Sequence, residues 1–179
     1  MTIISGIHHV TAISGAPQPN VDFFTGPLGQ KLVKKTVNFD DPGTYHLYYG
    51  DAAGSPGTIL TFFPFVDAGP GRAGPGMISA YAYAIPTADF DRITDDLAAQ
   101  GHARAAAGLR FGERVVTLRD PDGAPVEMIE CAQATDAHGF HSVTLWEHDP
   151  EPTVRLLCDV FGYQHLGTEN DHATQRHRL

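Results

Sequence analysis

His8-His9-Val10-Thr11 is the short run whose residue types and spacing best suit metal chemistry. An imidazole aimed into a cleft is a common ligand for a divalent cation through one ring nitrogen. The surrounding stretch, Gly6 to Ile13, alternates polar and apolar positions among β-branched residues, the pattern of a strand with one face on a core. Period-two geometry sends His8 and His9 to opposite faces and gives Thr11 the face of His9, within reach of a ligand or substrate oxygen. A strand histidine is also often a packed, hydrogen-bonded residue, so the pattern alone leaves His9 open between ligation and packing.

A second run, Asp120-Pro121-Asp122-Gly123-Ala124-Pro125-Val126-Glu127, sets Glu127 four residues after a tight turn on an otherwise apolar strand. A carboxylate buried there without a partner is costly. Two readings follow: a metal carboxylate, or a residue on a solvated face or paired with Arg119 or Arg114. His141 occupies a slot like that of His8 or His9 and divides between ligand and packing roles. His46, between Tyr45 and Leu47, reads as sheet packing, and Tyr81 and Tyr83 as half-buried residues with hydroxyls at the rim.

The elements that must position these residues repeat. The first strand is followed by a helix from Pro17 to Gly29, with Val21, Phe24 and Leu28 on one stripe and a last turn distorted by Gly26-Pro27. Strands are expected over Lys31 to Asn38, Thr44 to Tyr49 and Thr58 to Phe63, and a Gly/Pro-rich loop over 65–76. The pattern restarts with a strand from Met77 to Ile85 and a helix capped by Thr87, running to Gln100 with Phe90, Ile93 and Leu97 inward and Gly101 after it. Short strands follow at Leu109 to Gly112, Glu113 to Arg119 and Pro125 to Cys131, the last two joined by a type I turn at Asp120–Gly123. A third restart has a strand from Gly139 to Trp146, then a helix capped by Asp149 with Val154, Leu157 and Phe161 inward and Gly162 ending it. Tyr163 to Gly167 and Ala173 to Leu179 complete it as strands. The expected architecture is therefore α+β: repeated βαβββ modules over 1–66 and 77–131, and a partial third over 139–179. Their curved mixed sheets form a cleft. The partial module should expose strand edges unless a partner covers them, which predicts a homodimer or a missing piece.

A chain of 179 residues with 42% hydrophobic and 18% charged residues has the composition of a globular protein with a real core. Its net charge of -9, without a basic stripe, argues against nucleic acid and anionic membranes as partners. No run reaches the roughly 18 apolar residues of a membrane span, and the N-terminus reads without a secretory signal. Cys131 and Cys158 have no zinc or disulfide-framework spacing, so a reducing, cytoplasmic location is expected. Of the ten histidines, His165, His172 and His177 crowd a polar C-terminus, where exposure accounts for them. Nucleophile elbows, phosphate loops and dinucleotide fingerprints are lacking, which disfavours covalent and nucleotide chemistry.

The repeated unit and the Asp-Pro-Asp-Gly turn before Glu127 resemble the glyoxalase, bleomycin-resistance and extradiol-dioxygenase (vicinal-oxygen-chelate) superfamily. The runs Gly6 to Ile13, Leu32 to Gly50, Ser55 to Pro64 and Gly139 to Ser142 resemble one branch, the hydroquinone-type ring-cleaving dioxygenases. The likeness extends over nearly the whole chain and is most specific from Lys34 to Gly50. It implies a non-haem Fe(II) site of two histidines and a glutamate, with Mn(II) as the alternative ion, acting on a dihydroxylated aromatic and O₂. His9 matches the first ligand; His8 and Thr11 match neighbours that handle protons and orient substrate. The other two ligands of that branch lie in a fourth unit, which this sequence lacks, so only His9 carries over. Glu127 sits where many other superfamily members place a metal carboxylate, and His141 where catechol-cleaving relatives place a ligand. The alternatives are a metal-free binding module of the bleomycin-resistance kind, and a glyoxalase-like isomerase or lyase using His9 and Glu127 across a dimer.

Overall fold

A computed structural model describes residues 4, 6–102, 106–171 and 174–179. The first sheet is built from β1 (His9–Ser14), β2 (Lys31–Val37), β3 (Tyr45–Gly50) and β4 (Ile59–Pro64), in the order β1-β4-β3-β2. The second contains β5 (Met77–Pro86), β6 (Ala106–Arg110), β7 (Glu113–Arg119), β8 (Pro125–Cys131) and β9 (Phe140–Trp146), in the order β6-β7-β8-β5-β9. In each sheet the strand before the helix runs parallel to the last strand of its group, β1 beside β4 and β5 beside β8. The remaining pairs are antiparallel, so both sheets are mixed and the class is α+β, as expected.

Helix α1 (Pro17–Thr25) stops four residues short of the expected end. Gly26 closes the last turn by donating its backbone N–H to the Asp22 carbonyl at 3.0 Å, and Pro27 cannot continue the ladder. Helix α2 is Phe90–Ala99, preceded by Asp89 rather than capped by Thr87, because Asp89 N–H closes a turn onto the Pro86 carbonyl first. Gly101, at φ +85°, follows it in the left-handed conformation that glycine accepts most easily. Strand β6 starts at Ala106, three residues before the expected Leu109, and Phe111-Gly112 makes the turn into β7 with both residues at positive φ. The expected Asp120–Gly123 turn closes with Gly123 N–H on the Asp120 carbonyl at 3.0 Å.

The inner faces of both sheets and the two helices share one core. Phe24, Tyr49, Phe62, Leu47 and Leu60 come from the first half, and Tyr83, Ile85, Phe90, Leu97, Leu118 and Met128 from the second. Tyr49 is held by a hydroxyl bond to Asn20 Oδ1 at 2.8 Å, which satisfies its polar end inside the core. Tyr81 and Tyr83 are buried, not half-buried, and both hydroxyls lie inside.

The third repeat departs most from expectation. Its first strand, β9, joins the second sheet along the free edge of β5 and forms no sheet of its own. Asp149 does accept the Glu151 N–H at 3.1 Å, and α3 (Glu151–Arg155) continues into a π-helical turn over Leu156–Val160. Val154, Leu157 and Phe161 are only half-buried. The strand expected over Tyr163 to Gly167 does not form; a hairpin of β10 (Gly167–Asp171) and β11 (Thr174–Arg178) does. His172 and Ala173 lie outside the described residues. In the first sheet β1 holds the place that β5 holds in the second, and no described strand pairs along its outer edge.

Candidate functional site

Alternation along the first sheet separates two faces. Val10, Leu47, Tyr49, Leu60 and Phe62 point into the core. His9, Thr11 and Ile13 on β1, Thr61 and Phe63 on β4, and His46 and Tyr48 on β3 therefore share the opposite, open face. Register aligns Thr11, Thr61, Tyr48 and Lys34 into one polar row across all four strands. Within it Thr61 Oγ1 donates to Thr11 Oγ1 at 3.0 Å. Thr61 is only 1% exposed, so it holds Thr11 from below while Thr11 stays open to solvent.

His9 opens β1, and His8 lies just before the strand, where period-two geometry does not apply. The two rings are not on opposite faces: they meet edge to face at 5.3 Å, with their Nδ1 atoms 3.1 Å apart. One nitrogen must carry the proton and the other accept it; with His9 Nδ1 as the donor, His9 Nε2 is the nitrogen with a lone pair free to ligate. The His8 carbonyl takes the Gly57 N–H at 2.8 Å, and the Gly57 carbonyl takes the Phe140 N–H at 2.8 Å, tying this end of β1 to β9.

On the same face His46 lies between two rings, its centroid 4.1 Å from that of Tyr48 and 4.0 Å from that of Phe63. Its Nδ1 is 2.9 Å from the Tyr48 hydroxyl. Its Nε2 is buried without a partner among the described residues. Burial first, then the positive charge of Lys34 and the nearby His9, holds its pKa below the ordinary imidazole value. Sequence reasoning counted His46 among the polar candidates but favoured packing over chemistry. The signal was present, since counting back in twos from the core residues Tyr49 and Leu47 already places it opposite them.

Glu127 belongs to the second sheet. It is buried, and both oxygens are engaged by Arg110 at 2.5 and 2.8 Å. Neither expected cation is its partner: Arg114 pairs with Asp91 and reaches Glu130 at 3.7 Å, and Arg119 bonds the Gly123 carbonyl. His141, on β9, sits 3.4 Å from Glu113, which Arg178 grips with two bonds at 2.8 and 3.0 Å. Burial lowers the His141 pKa against the opposing pull of Glu113. His9 and Glu127 thus belong to different sheets, and no three His, Cys, Asp or Glu converge on a metal-sized point among the described residues. The donor set fits iron in part: one open imidazole on a face lined with hydroxyls and aromatic rings.

An open sheet face carrying His9 and Thr11, in a chain of βαβββ order, defines a class. The family model of the Glyoxalase/Bleomycin resistance protein/Dioxygenase superfamily matches residues 6–128, and the chain belongs to that superfamily. Its relatives point to one branch. MhqO of Bacillus subtilis (strain 168), provisionally named a ring-cleaving dioxygenase, is 39% identical over 96% of this chain and 59% of its own length. The chlorohydroquinone/hydroquinone 1,2-dioxygenase of Sphingobium indicum is 38% identical over 94% of this chain and 58% of its own. A crystal structure of a provisionally named dioxygenase from Bacillus subtilis superposes with a TM-score of 0.88 at 40% identity, covering 97% of this chain and 59% of that one. The chain thus spans less than two thirds of the length of these relatives.

Proposed function

We propose that this chain carries the first-ligand face of a non-haem Fe(II) ring-cleaving dioxygenase that opens a dihydroxylated aromatic with O₂. The observation that supports it most is the open face of the first sheet, where His9 Nε2, the Thr11–Thr61 hydroxyl pair and aromatic rings lie together. Iron held there would offer open positions for the substrate hydroxyl and O₂. Mn(II) is the alternative ion.

His9 would bind the metal through Nε2 while His8 holds Nδ1, an outer-shell partner that fixes ring orientation and tautomer. His8, exposed and beside the site, is suited to take the proton from a substrate hydroxyl near neutral pH. Thr11, braced by Thr61, is placed to orient a substrate oxygen.

The remaining ligands come from outside the described residues. The outer edge of β1 corresponds to the edge of β5 that β9 fills, so a further strand, from a fourth unit or a second copy of the chain, would bring a wall over His9. We take 1–66, 77–131 and 139–179 as the repeating units, a homodimer as the assembly and a reducing cytoplasm as the setting. Among the described residues no helix is long and apolar enough to cross a membrane. Glu127 would serve a metal only by giving up Arg110, which weighs against the isomerase or lyase reading. A metal-free binding module is the second reading, favoured by the lack of a three-ligand cluster among the described residues.

The test is anaerobic loading with Fe(II) followed by O₂ uptake with hydroquinone. Metal-dependent uptake lost in His9→Ala supports the dioxygenase. Aromatic binding indifferent to iron supports the binding module.

A further inference from the structure

A cavity lies on the core side of the sheets, away from the open face that carries His9. Helix α1 stops at Gly26-Pro27, and the chain turns through Gly29, at φ +63°, so that the Gln30 N–H reaches the Phe24 carbonyl at 2.9 Å. That turn buries the Gln30 side chain. Tyr83 and Met128 stand level on β5 and β8 and belong to the shared core. Together with Ile93 of α2 and Ala137 of the link before β9, these residues line a space of about 230 Å³. Gly29 and Arg92, which also line it, are exposed, so the space opens to the surface there.

Two polar atoms of its lining residues are idle. Gln30 is 2% exposed and Tyr83 1%, and neither Gln30 Oε1 nor the Tyr83 hydroxyl has a hydrogen-bond partner among the described residues. Native proteins keep few such groups, because each loses its hydration without compensation. The remaining walls are apolar, with Leu28, Ile85, Ile93 and Met128. The cations at the rim already face carboxylates: Arg92 meets Asp89 at 2.6 Å and Asp96 at 3.7 Å, and His138 meets Asp136 at 3.4 Å. A neutral ligand therefore suits the site better than an acid. The space exceeds the roughly 150 Å³ of an apolar cavity that takes benzene and falls below the roughly 300 Å³ at which pockets for larger molecules begin. One ring fits. A lone water, with a share of about 30 Å³, would leave most of the apolar wall uncovered.

We propose that this cavity is a second binding site, separate from the open face, for a neutral single-ring compound bearing a hydroxyl group. A hydroxyl can donate to Gln30 Oε1 and accept from the Tyr83 O–H at once, while the ring covers Ile85, Ile93 and Met128. Burial pushes the Tyr83 hydroxyl well above its ordinary titration range, so the proton stays in place for donation.

The test is NMR of the chain with methyl-labelled methionine, titrated with benzyl alcohol and with ethylbenzene, which has a methyl group in place of the hydroxyl. Both should shift the Met128 methyl signal and leave that of the exposed Met77 unmoved. Tyr83→Phe keeps the ring and removes one partner, so affinity for benzyl alcohol relative to ethylbenzene should fall about tenfold, the size of one hydrogen bond. Ala137→Phe fills the space and should abolish both shifts; Tyr83→Phe carries the test if that variant does not fold. No shift at Met128 with either compound, or a relative affinity unchanged in Tyr83→Phe, overturns the site. Shifts that persist in a folded Ala137→Phe overturn it as well. No iron is added, so the result is independent of the dioxygenase reading.

Discussion

The Nδ1 atoms of His8 and His9 stand 3.1 Å apart with the two rings perpendicular. That contact engages Nδ1 and leaves Nε2 as the His9 nitrogen outside it. The ligating role assigned to Nε2 therefore depends on a neighbour with no direct claim on the metal.

Replacing that neighbour should weaken the metal without removing it. His8→Phe keeps a ring and deletes the nitrogen, so Co(II) affinity, read by absorption titration, should fall by about 10–100-fold, the usual cost of losing an outer-shell partner. An unchanged affinity would mean that the His8–His9 contact does not orient the ligand.

Glu127 should matter to stability and not to the metal. Its carboxylate side chain is 6% exposed and paired to Arg110 by two bonds, so Glu127→Ala leaves a guanidinium without its partner in a mostly dry site. Breaking a buried pair from one side typically costs about 3–5 kcal/mol. Urea denaturation should show a loss near the lower end, since Arg110 keeps 19% exposure, and Co(II) titration should be unaltered. A metal affinity that collapses with Glu127 would instead favour the isomerase or lyase reading.

Asp120 should make the protein less stable as pH rises from acid toward neutral. Burial pushes its carboxyl up from the ordinary value of 3.8, against the pull of the Ala124 and Asp122 backbone amides and with the push of the Asp122 charge. A carboxyl with a raised folded pKa binds more protons in the native state, so its contribution is most favourable at the acid end. It diminishes as pH climbs from the unfolded value through the higher folded one. Asp120→Asn keeps an oxygen for the bonds from Asp122 N–H (3.0 Å) and Ala124 N–H (2.8 Å) and cannot ionise. Its urea midpoint relative to wild type should therefore rise between pH 4 and pH 7. A difference that stays flat would remove burial as the controlling influence on Asp120.

Most of the strands were legible because alternation and turn chemistry agree. Asp120-Pro121-Asp122-Gly123 both names its turn and fixes the register of β7 on β8, so Glu113–Arg119 and Pro125–Cys131 match the expected ranges. What failed was whatever depended on partners distant in sequence. Arg110 could not be matched to Glu127, because the register sets Glu127 level with Thr117 and Ala106, and Arg110 reaches it only diagonally, from four residues along β6. The pairing of the third repeat's first strand was hidden for the same reason: nothing local to Phe140–Trp146 says that β5 will take it as an edge strand. His8 was misplaced by one residue of strand boundary, enough to turn two opposite faces into a ring contact.

The most direct test of the site is an anaerobic Fe(II) titration of the chain with labelled histidines, followed by NMR. Paramagnetic broadening should appear first at the His9 ring, with His8 and His46 following more weakly, and should vanish from that face in His9→Ala. Broadening centred on His141 or on the C-terminal pair His165 and His177, with His9 untouched, would contradict the assignment of the open face of the first sheet as the metal-binding side.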